Sequence, residues 1–199
     1  MKKIIFSFLF ILLLSKAANA SSLNTNDVFG HFGVSYNPVS VSSNGESNHM
    51  NGVSLGGDIF KQIKGNLYLN FSPMNTQCIF SNKKEYGVKT STFLISMKPS
   101  TGIAYKCVFD ENGVYLVPNA GFDIGAYLGG STYIDHDGQD LFKDMGYNRF
   151  IFDWHAGVQL FIKKISFIVK YEGGIAPIYN DSGIKVNVNQ WHFGIAFDI

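Results

Sequence analysis

The chain has 199 residues, with 16 Lys and Arg against 15 Asp and Glu, and is rich in Gly (21), Phe (18) and Tyr (10). This balance offers no basic surface for nucleic acid, and two cysteines are too few for a disulfide scaffold. Abundant glycine and aromatic residues, without a later apolar stretch long enough for a membrane helix, favour a β-sandwich or a β-barrel.

Residues 1–20 have the order of a secretory signal peptide. Lys2 and Lys3 are followed by an apolar run from Ile4 to Leu14 and by the small residues of Ala18-Asn19-Ala20. The run is too short to span a membrane, which takes about 20 apolar residues. We therefore expect cleavage after Ala20 and one mature domain, 21–199, with 13 basic and 15 acidic residues.

Eight segments of the mature chain alternate between large apolar residues and small or polar residues. Alternation in units of about ten residues is typical of a strand with one face in lipid and the other in a barrel interior. The segments are 28–36, 52–60, 66–72, 88–109, 114–128, 149–162, 165–172 and 191–199. They predict an all-β fold, an eight-stranded antiparallel up-and-down transmembrane β-barrel.

The segment 88–109 contains Pro99-Ser100-Thr101-Gly102, which resembles a turn and would split it into two strands. Its outward residues are odd-numbered on both sides of Pro99, as expected for one bent strand with the proline at a bulge or beyond the membrane rim. Closed bacterial barrels use an even number of strands, so eight is predicted. Ten strands, with an additional one near Cys78, is the alternative.

Short and long connections alternate along the chain. The segments 62–65, 110–113 and 163–164 are short, as periplasmic turns are, whereas polar segments predict extracellular loops. These segments are 37–50, about 73–87, 130–148 and the shorter 179–183. In this arrangement Cys107 faces lipid near the periplasmic rim and Cys78 lies in an outer loop, so we expect no disulfide although an oxidising compartment allows one.

The inward face predicts a network of charged side chains. An eight-stranded barrel is just wide enough for its side chains to fill it, and buried polar groups must satisfy one another or water. The predicted members are His31, Asp58, Asp123, Arg149, Asp153, His155, Lys170 and Glu172. Their mixed signs predict a neutral plug instead of a pore. Tyr36, Trp154, Tyr171 and Trp191, near strand ends, are expected to set the depth in the membrane.

The last strand, "WHFGIAFDI", resembles the β-signal read by the bacterial barrel-assembly machinery. The resemblance rests on His192, Gly194, Phe197 and Ile199, with Ile in the final position where Phe is usual. It implies that this machinery is a partner during insertion.

Residues 88–199 resemble the C-terminal half of the opacity-type, OmpA-like outer-membrane β-barrels. The matching residues are Pro118, Ala120-Gly121, Gly125, Phe152, Ala156-Gly157 and Tyr171, whereas Asn119 replaces the usual Tyr. The resemblance implies an eight-stranded barrel in the bacterial outer membrane, in contact with lipid and lipopolysaccharide, and a role at the cell surface.

Other chemistries have weaker support. A lipid A-modifying barrel enzyme would need a catalytic pair, for which His155 with Asp153 and His192 with Asp198 are candidates, but both histidines face inward, away from acyl chains. The "DHDGQD" stretch at 135–140 resembles the start of a calcium loop but lacks its twelfth-position Glu, since Gly146 stands there. We therefore expect no catalytic, metal or cofactor site.

The sequence predicts a non-enzymatic outer-membrane β-barrel. Its extracellular loops would serve envelope integrity or surface contact, as an adhesin or antigen with a host or cell-surface ligand, because loops are free to vary in chemistry. A lipid A-modifying enzyme, a narrow channel and a soluble exported β-sandwich are the alternatives.

Overall fold

The computed structural model describes residues 28–43, 46–85, 88–110, 113–135, 137–181 and 184–198. Those residues form twelve strands. In chain order they are β1 (Val28–Ser43), β2 (Glu46–Lys64), β3 (Leu67–Glu85), β4 (Val88–Met97), β5 (Ser100–Tyr105), β6 (Cys107–Asp110), β7 (Val114–Ile134), β8 (Asp137–Asp140), β9 (Phe150–Ile162), β10 (Ile165–Gly174), β11 (Tyr179–Asp181) and β12 (Ile184–Asp198). The predicted signal peptide lies outside the described residues.

The strands close into one antiparallel barrel with eight positions around its wall. We call each position a stave, whether it is made of one strand or of several short strands in line. β4, β5 and β6 together make a single stave between β3 and β7, and the ring runs β1, β2, β3, β4–β6, β7, β9, β10, β12 and back to β1. The closing pair β1–β12 places Tyr36 opposite Phe193 and His31 opposite Asp198. The eight-stranded prediction is confirmed, and β8 and β11 are short additions at one end.

Pro99 lies inside the barrel wall, where it interrupts one stave without changing its phase. Met97 pairs with Ala126 and Ser100 with Asp123, so three steps on the stave match three steps on β7. The extra residue of the bulge lies on the neighbouring β3, because Ser72 pairs with Ser100 and Thr76 with Met97. The expected bulge at Pro99 is therefore corrected to one on β3.

Two facing glycines let β5 and β7 approach closely beside this break. Gly102 pairs with Gly121. A Cβ on Gly121 would lie 2.1 Å from the carbonyl oxygen of Thr101, and one on Gly102 would lie 2.3 Å from that of Ala120. Because real Cβ atoms do not come so near to backbone oxygens, this bend in the wall requires glycine on both strands.

The lower part of the barrel wall is apolar on its outer face, as the alternation predicts. Val34 is 60% exposed and Phe197 is 58% exposed, whereas His31 is 1% exposed. Near the upper edge of this surface Trp154, Tyr171 and Trp191 form a continuous aromatic row, with ring centroids 5.4 Å apart for the first pair and 5.0 Å for the second. We call this surface the apolar band.

The wall continues above the aromatic row, where long loops were predicted. Most of 37–50 belongs to β1 and β2, which pair from Tyr36–Val53 to Ser43–Glu46, and the described part of 73–85 is strand. The chemistry of the two faces is exchanged here. In β1, Val39 points inward and is 1% exposed, while the outward side chains are polar, such as Ser40 and Ser42. The prediction of loops was wrong because it relied on apolar outward residues to recognise a strand. Above the aromatic row the outward residues are polar and the inward residues are apolar, so the strands there do not meet that criterion.

The described residues contain no helix that is long and apolar enough to cross a membrane. Both cysteines have free thiols. Cys107 lies in β6, whereas Cys78 lies in β3, opposite the outward Val53 and Ile95, and not in an outer loop.

Candidate functional site

The interior of the barrel is divided into three layers of different chemistry. We name them, from the end where β1 begins and β12 ends upward, the aromatic plug, the charged layer and the upper chamber. Each layer arises because alternate residues of every stave point inward, so that a change in the inward residues along a strand changes the layer.

The aromatic plug closes the lower end. Phe60 and Phe161 are fully buried at its centre. Phe29 stacks on Phe60 with centroids 4.7 Å apart, and Tyr115 stacks on Phe161 at 4.6 Å. The ammonium of Lys106 lies 4.2 Å from the Tyr115 ring centroid, in cation–π geometry. These rings come from four different staves, so the plug spans the lumen.

Glu172 is the centre of the charged layer and is 1% exposed. Its Oε1 lies 2.6 Å from Lys170 Nζ and 3.1 Å from His192 Nε2. Its Oε2 accepts hydrogen bonds from Lys98 Nζ and Gln190 Nε2. A buried carboxylate is tolerated only when paired and hydrogen-bonded, and here four side chains from three elements of the wall meet that requirement.

Two further carboxylates are held by histidines. His155 Nδ1 lies 2.8 Å from Asp123 Oδ2, and His31 Nε2 lies 3.3 Å from Asp58 Oδ2. Gln159 Nε2 also donates to Asp58 Oδ2, at 2.9 Å, from a stave on the far side of the ring. Beside this cluster is a cavity of about 50 Å³ lined by polar groups, enough for water that satisfies buried atoms.

The structure brings together seven of the eight predicted network residues. His31, Asp58, Asp123, Asp153, His155, Lys170 and Glu172 all contribute side chains to the charged layer. Arg149 does not: it is exposed, donates to the carbonyl oxygens of Tyr127 and Leu128, and covers the Phe142 ring at 4.2 Å. The prediction for Arg149 was wrong because β9 begins only at Phe150. The alternation of inward and outward residues in β9 therefore does not extend to Arg149.

Lys98 is the main residue that the sequence reasoning missed. It is 1% exposed, bonds to Glu172 and lies 3.5 Å from Asp153 Oδ2. It is even-numbered in a stave whose odd residues face out, so the phase kept across Pro99 was a sufficient signal. His192 was placed inward but was not assigned to the network, and its Nε2 contacts Glu172.

Neither candidate catalytic pair forms. His155 contacts Asp123, whereas Asp153 contacts Lys98. His192 contacts Glu172, and Asp198 lies at the exposed end of β12, opposite His31 in the register. The described residues contain no group of three or more His, Cys, Asp or Glu that could hold a metal; His136 of the "DHDGQD" stretch lies outside them.

The residues of the β-signal resemblance occupy both faces of β12. His192 points into the charged layer, Gly194 faces Ser35, and Phe197 is exposed on the apolar band. A Cβ at Gly194 would lie 2.9 Å from the Ser35 Cβ. Ile199 lies outside the described part of the chain.

The upper chamber lies between two sheets. One comprises the upper parts of β2, β1 and β12 with β11, and the other those of β3, β4 and β7 with β8. Their inward faces are apolar and share a core, whose buried members are Val39, Ile79, Leu94, Tyr127, Leu141, Ile151, Ile178 and Val186.

Residues 141–149 cover one side of the chamber, and we call them the lid. Asn148 N donates to the Ile178 carbonyl oxygen at 2.6 Å. The backbone amides of Lys143 and Phe142 donate to Asp140 Oδ1, and these hydrogen bonds hold the pKa of the exposed Asp140 carboxyl below its usual value.

The chamber has a volume of about 590 Å³ and is open to solvent. Within the described residues, pairing of β2 with β3 ends at Asn51 and Phe80, although both strands continue upward. The two free edges therefore leave a cleft into the chamber, spanned by a hydrogen bond from Lys83 Nζ to Asn48 Oδ1.

No protein-family model matches the chain, and no curated protein matches it either.

Solved structures do match. The attachment invasion locus protein Ail of Yersinia pestis is 13% identical, with a TM-score of 0.51 over 87% of this chain and 99% of that one. Neisserial surface protein A is 13% identical, with a TM-score of 0.53 over 84% and 96%. At this identity the likeness concerns the fold alone. The chain therefore has the fold of the small eight-stranded outer-membrane β-barrels.

Proposed function

We propose that this chain is a non-enzymatic barrel of the bacterial outer membrane, inserted there by the barrel-assembly machinery after export. Its function would be surface contact, as an adhesin or antigen, together with support of the envelope. The hairpins above the aromatic row would make the contact, and lipid and lipopolysaccharide would surround the apolar band. A protein of this fold that is described as an attachment locus gives the surface role a precedent.

The observation that carries the proposal is the exchange of polarity on the outer face of the wall. In β1 the outward residues change from Phe32, Val34 and Tyr36 to Pro38, Ser40 and Ser42 within one strand. Lipid accepts only the first set without cost and water favours the second. An outer face of this kind suits a barrel that stands in a membrane and rises out of it on one side.

The closed interior supports surface contact over conduction. The aromatic plug and the charged layer close the lumen in series, and the cavity of about 50 Å³ beside the charged layer is too small for a continuous water column. A role as a narrow channel would require both layers to open. A role in lipid A modification would require a catalytic pair at the lipid face, whereas the candidate histidines are buried among carboxylates.

Topology and membrane location are tested together by labelling. In a Cys78→Ser, Cys107→Ser background, His49→Cys at the outer end of β2 should react with a membrane-impermeant maleimide on intact cells. Lys164→Cys, in the opposite turn, should react only after the cells are opened. The chain should also fractionate with the outer membrane and shift on a gel when boiled.

A chain that remains in the aqueous fraction, or equal labelling of both positions on intact cells, would contradict the membrane proposal. For the contact role, cells with and without the chain are compared for attachment to host cells or matrix. Equal attachment would leave no support for an adhesin.

A further inference from the structure

We propose that the upper chamber is a binding site for a single-chain amphiphile with an anionic head, such as a fatty acid. The site lies inside the wall and uses the inward faces of the strands. Surface contact, as proposed above, uses the outward faces. The two ideas can therefore fail independently.

The size and lining of the chamber fit an aliphatic chain. Its volume of about 590 Å³ lies within the range of roughly 300–1,000 Å³ that is typical of small-molecule sites. Val41, Met50, Leu94, Met145 and Ile178 contribute apolar surface. Methionine side chains adapt to irregular apolar ligands because they are unbranched and flexible, and the two here come from β2 and from the lid.

Charge at the mouth fits an anionic head. Lys83 is the one charged side chain among the described residues that line the chamber. It is on the inward face of β3, in the cleft between the free edges of β2 and β3, and its ammonium donates to Asn48 Oδ1. A ligand carboxylate could replace the neutral amide as acceptor, and a hydrogen bond between charged groups is the stronger of the two.

The depth of the chamber explains why one end of the ligand would be apolar and the other polar. Around Lys83 the lining is Ser81, Thr90 and Asn48, followed by Thr92 and Thr132 one step lower and by Leu94 and Leu141 at the bottom. Lys83 and Thr90 are register partners, so they lie at the same height on β3 and β4. The polar groups therefore form a collar above an apolar floor, which matches the two parts of an amphiphile.

The test uses the full mature chain in phosphatidylcholine nanodiscs. Trp154→Phe and Trp191→Phe remove the two native tryptophans, and Met145→Trp places a reporter in the chamber lining. The probe is 11-bromoundecanoate, whose bromine quenches a nearby tryptophan. The heat shift on a gel verifies that each variant has folded, and Tyr147→Trp is the second reporter if the first does not fold.

We expect saturable quenching. Lys83→Gln should weaken it about tenfold, the contribution of a charge-assisted hydrogen bond. Lys84→Gln is the matched control, since Lys84 is the next residue on β3 and points to the outside. Thr90→Phe, which fills the collar, should abolish binding, whereas Ser91→Phe on the opposite face should not. Quenching that does not saturate, or that is equal in Lys83→Gln and Lys84→Gln, would overturn the proposal.

Two further experiments test whether the head group must be charged and whether the ligand comes from the membrane. The uncharged 11-bromoundecanol should bind more weakly than the acid to the unsubstituted Lys83 chain, and equal binding would overturn the anionic head. Mass spectrometry of solvent extracts compares protein purified from cells with refolded protein. A single-chain lipid carried only by the cellular protein identifies the membrane as the source; its absence, with binding of the added probe, identifies an external ligand.

Discussion

The ammonium of Lys98 donates a hydrogen bond to the carboxylate of Glu172 across the lumen, although their strands lie three positions apart in the ring. Both side chains are almost fully buried. The bond therefore ties together parts of the wall that share no backbone pairing. Removing the Lys98 ammonium leaves the buried Glu172 carboxylate with one partner fewer.

Lys98→Met should destabilise the barrel by about 3–5 kcal/mol, the usual cost of removing one partner of a buried ion pair. Urea unfolding of the refolded chain in lipid vesicles measures this difference. Lys89→Met is the control, because Lys89 is exposed on the outer face of the same stave. Equal stability of Lys98→Met and Lys89→Met would show that the bond across the lumen contributes nothing.

The aromatic plug should keep the barrel closed to ions. We expect the unaltered protein to give no discrete conductance steps in planar bilayers. Phe161→Ala should remove about 3–5 kcal/mol of stability through the cavity it leaves, yet still give no steps, because the charged layer remains. Discrete steps in the unaltered protein would mean that the aromatic plug and the charged layer do not close the lumen in a bilayer.

The proposed border between lipid and water on the outer face can be located by substituting lysine at two heights along β1. Val34→Lys should cost about 2–4 kcal/mol if Val34 lies near the bilayer midplane. Ser40→Lys lies on the same face of β1, about 20 Å further along the strand, and should cost nothing measurable. Unfolding in vesicles gives both values; similar losses at the two positions would place the border elsewhere.

The close approach of β5 and β7 predicts that Gly121→Ala cannot close the barrel. The added Cβ would collide with the Thr101 carbonyl oxygen, a backbone atom that cannot move aside alone. The heat-modifiable band on a gel should be lost. Gly129→Ala, on the same strand, meets nothing within 4 Å of its added Cβ and should fold normally.

Acid should loosen the lid through Asp140. Its pKa is lowered by hydrogen bonds from backbone amides, so the stabilisation is present above the usual carboxyl range and is lost as the pH falls through the lowered pKa. Amide exchange at Phe142 and Lys143 should therefore accelerate at the acidic end of that range. Asp140→Asn, which does not titrate, should show no such step; a step of equal size there would assign it to another group.

The part of the barrel with an apolar outer face could be predicted from the sequence, because one face of each strand there is large and apolar while the other is small or polar. Even the unchanged phase of the stave across Pro99 follows from the constant parity of Phe93, Met97 and Ile103. The upper part of the wall could not be found by the same criterion. There Val39 points inward and Ser40 outward, so the polarity of the two faces is reversed while the strand continues.

The sequence predicted most of the residues of the charged layer but not which of their side chains contact one another. Parity placed Asp153 and His155 on the inward face, yet it could not show that His155 contacts Asp123 and that Asp153 contacts Lys98. Such contacts depend on the stagger between neighbouring strands and on reach across the lumen. A sequence pattern within one strand contains neither quantity.

The continuation of the wall beyond the aromatic row has a consequence for recognition by antibodies. In such a hairpin alternate residues face the chamber, so the outside presents mainly every second side chain, held at fixed spacing by strand pairing. Epitopes on such a surface combine residues from neighbouring strands, so short linear peptides would reproduce them poorly. Under the proposed surface role, immune escape would concentrate at positions such as Ser40 and Ser42, while the inward Val39 and Val41 stay constant because they pack in the core of the chamber.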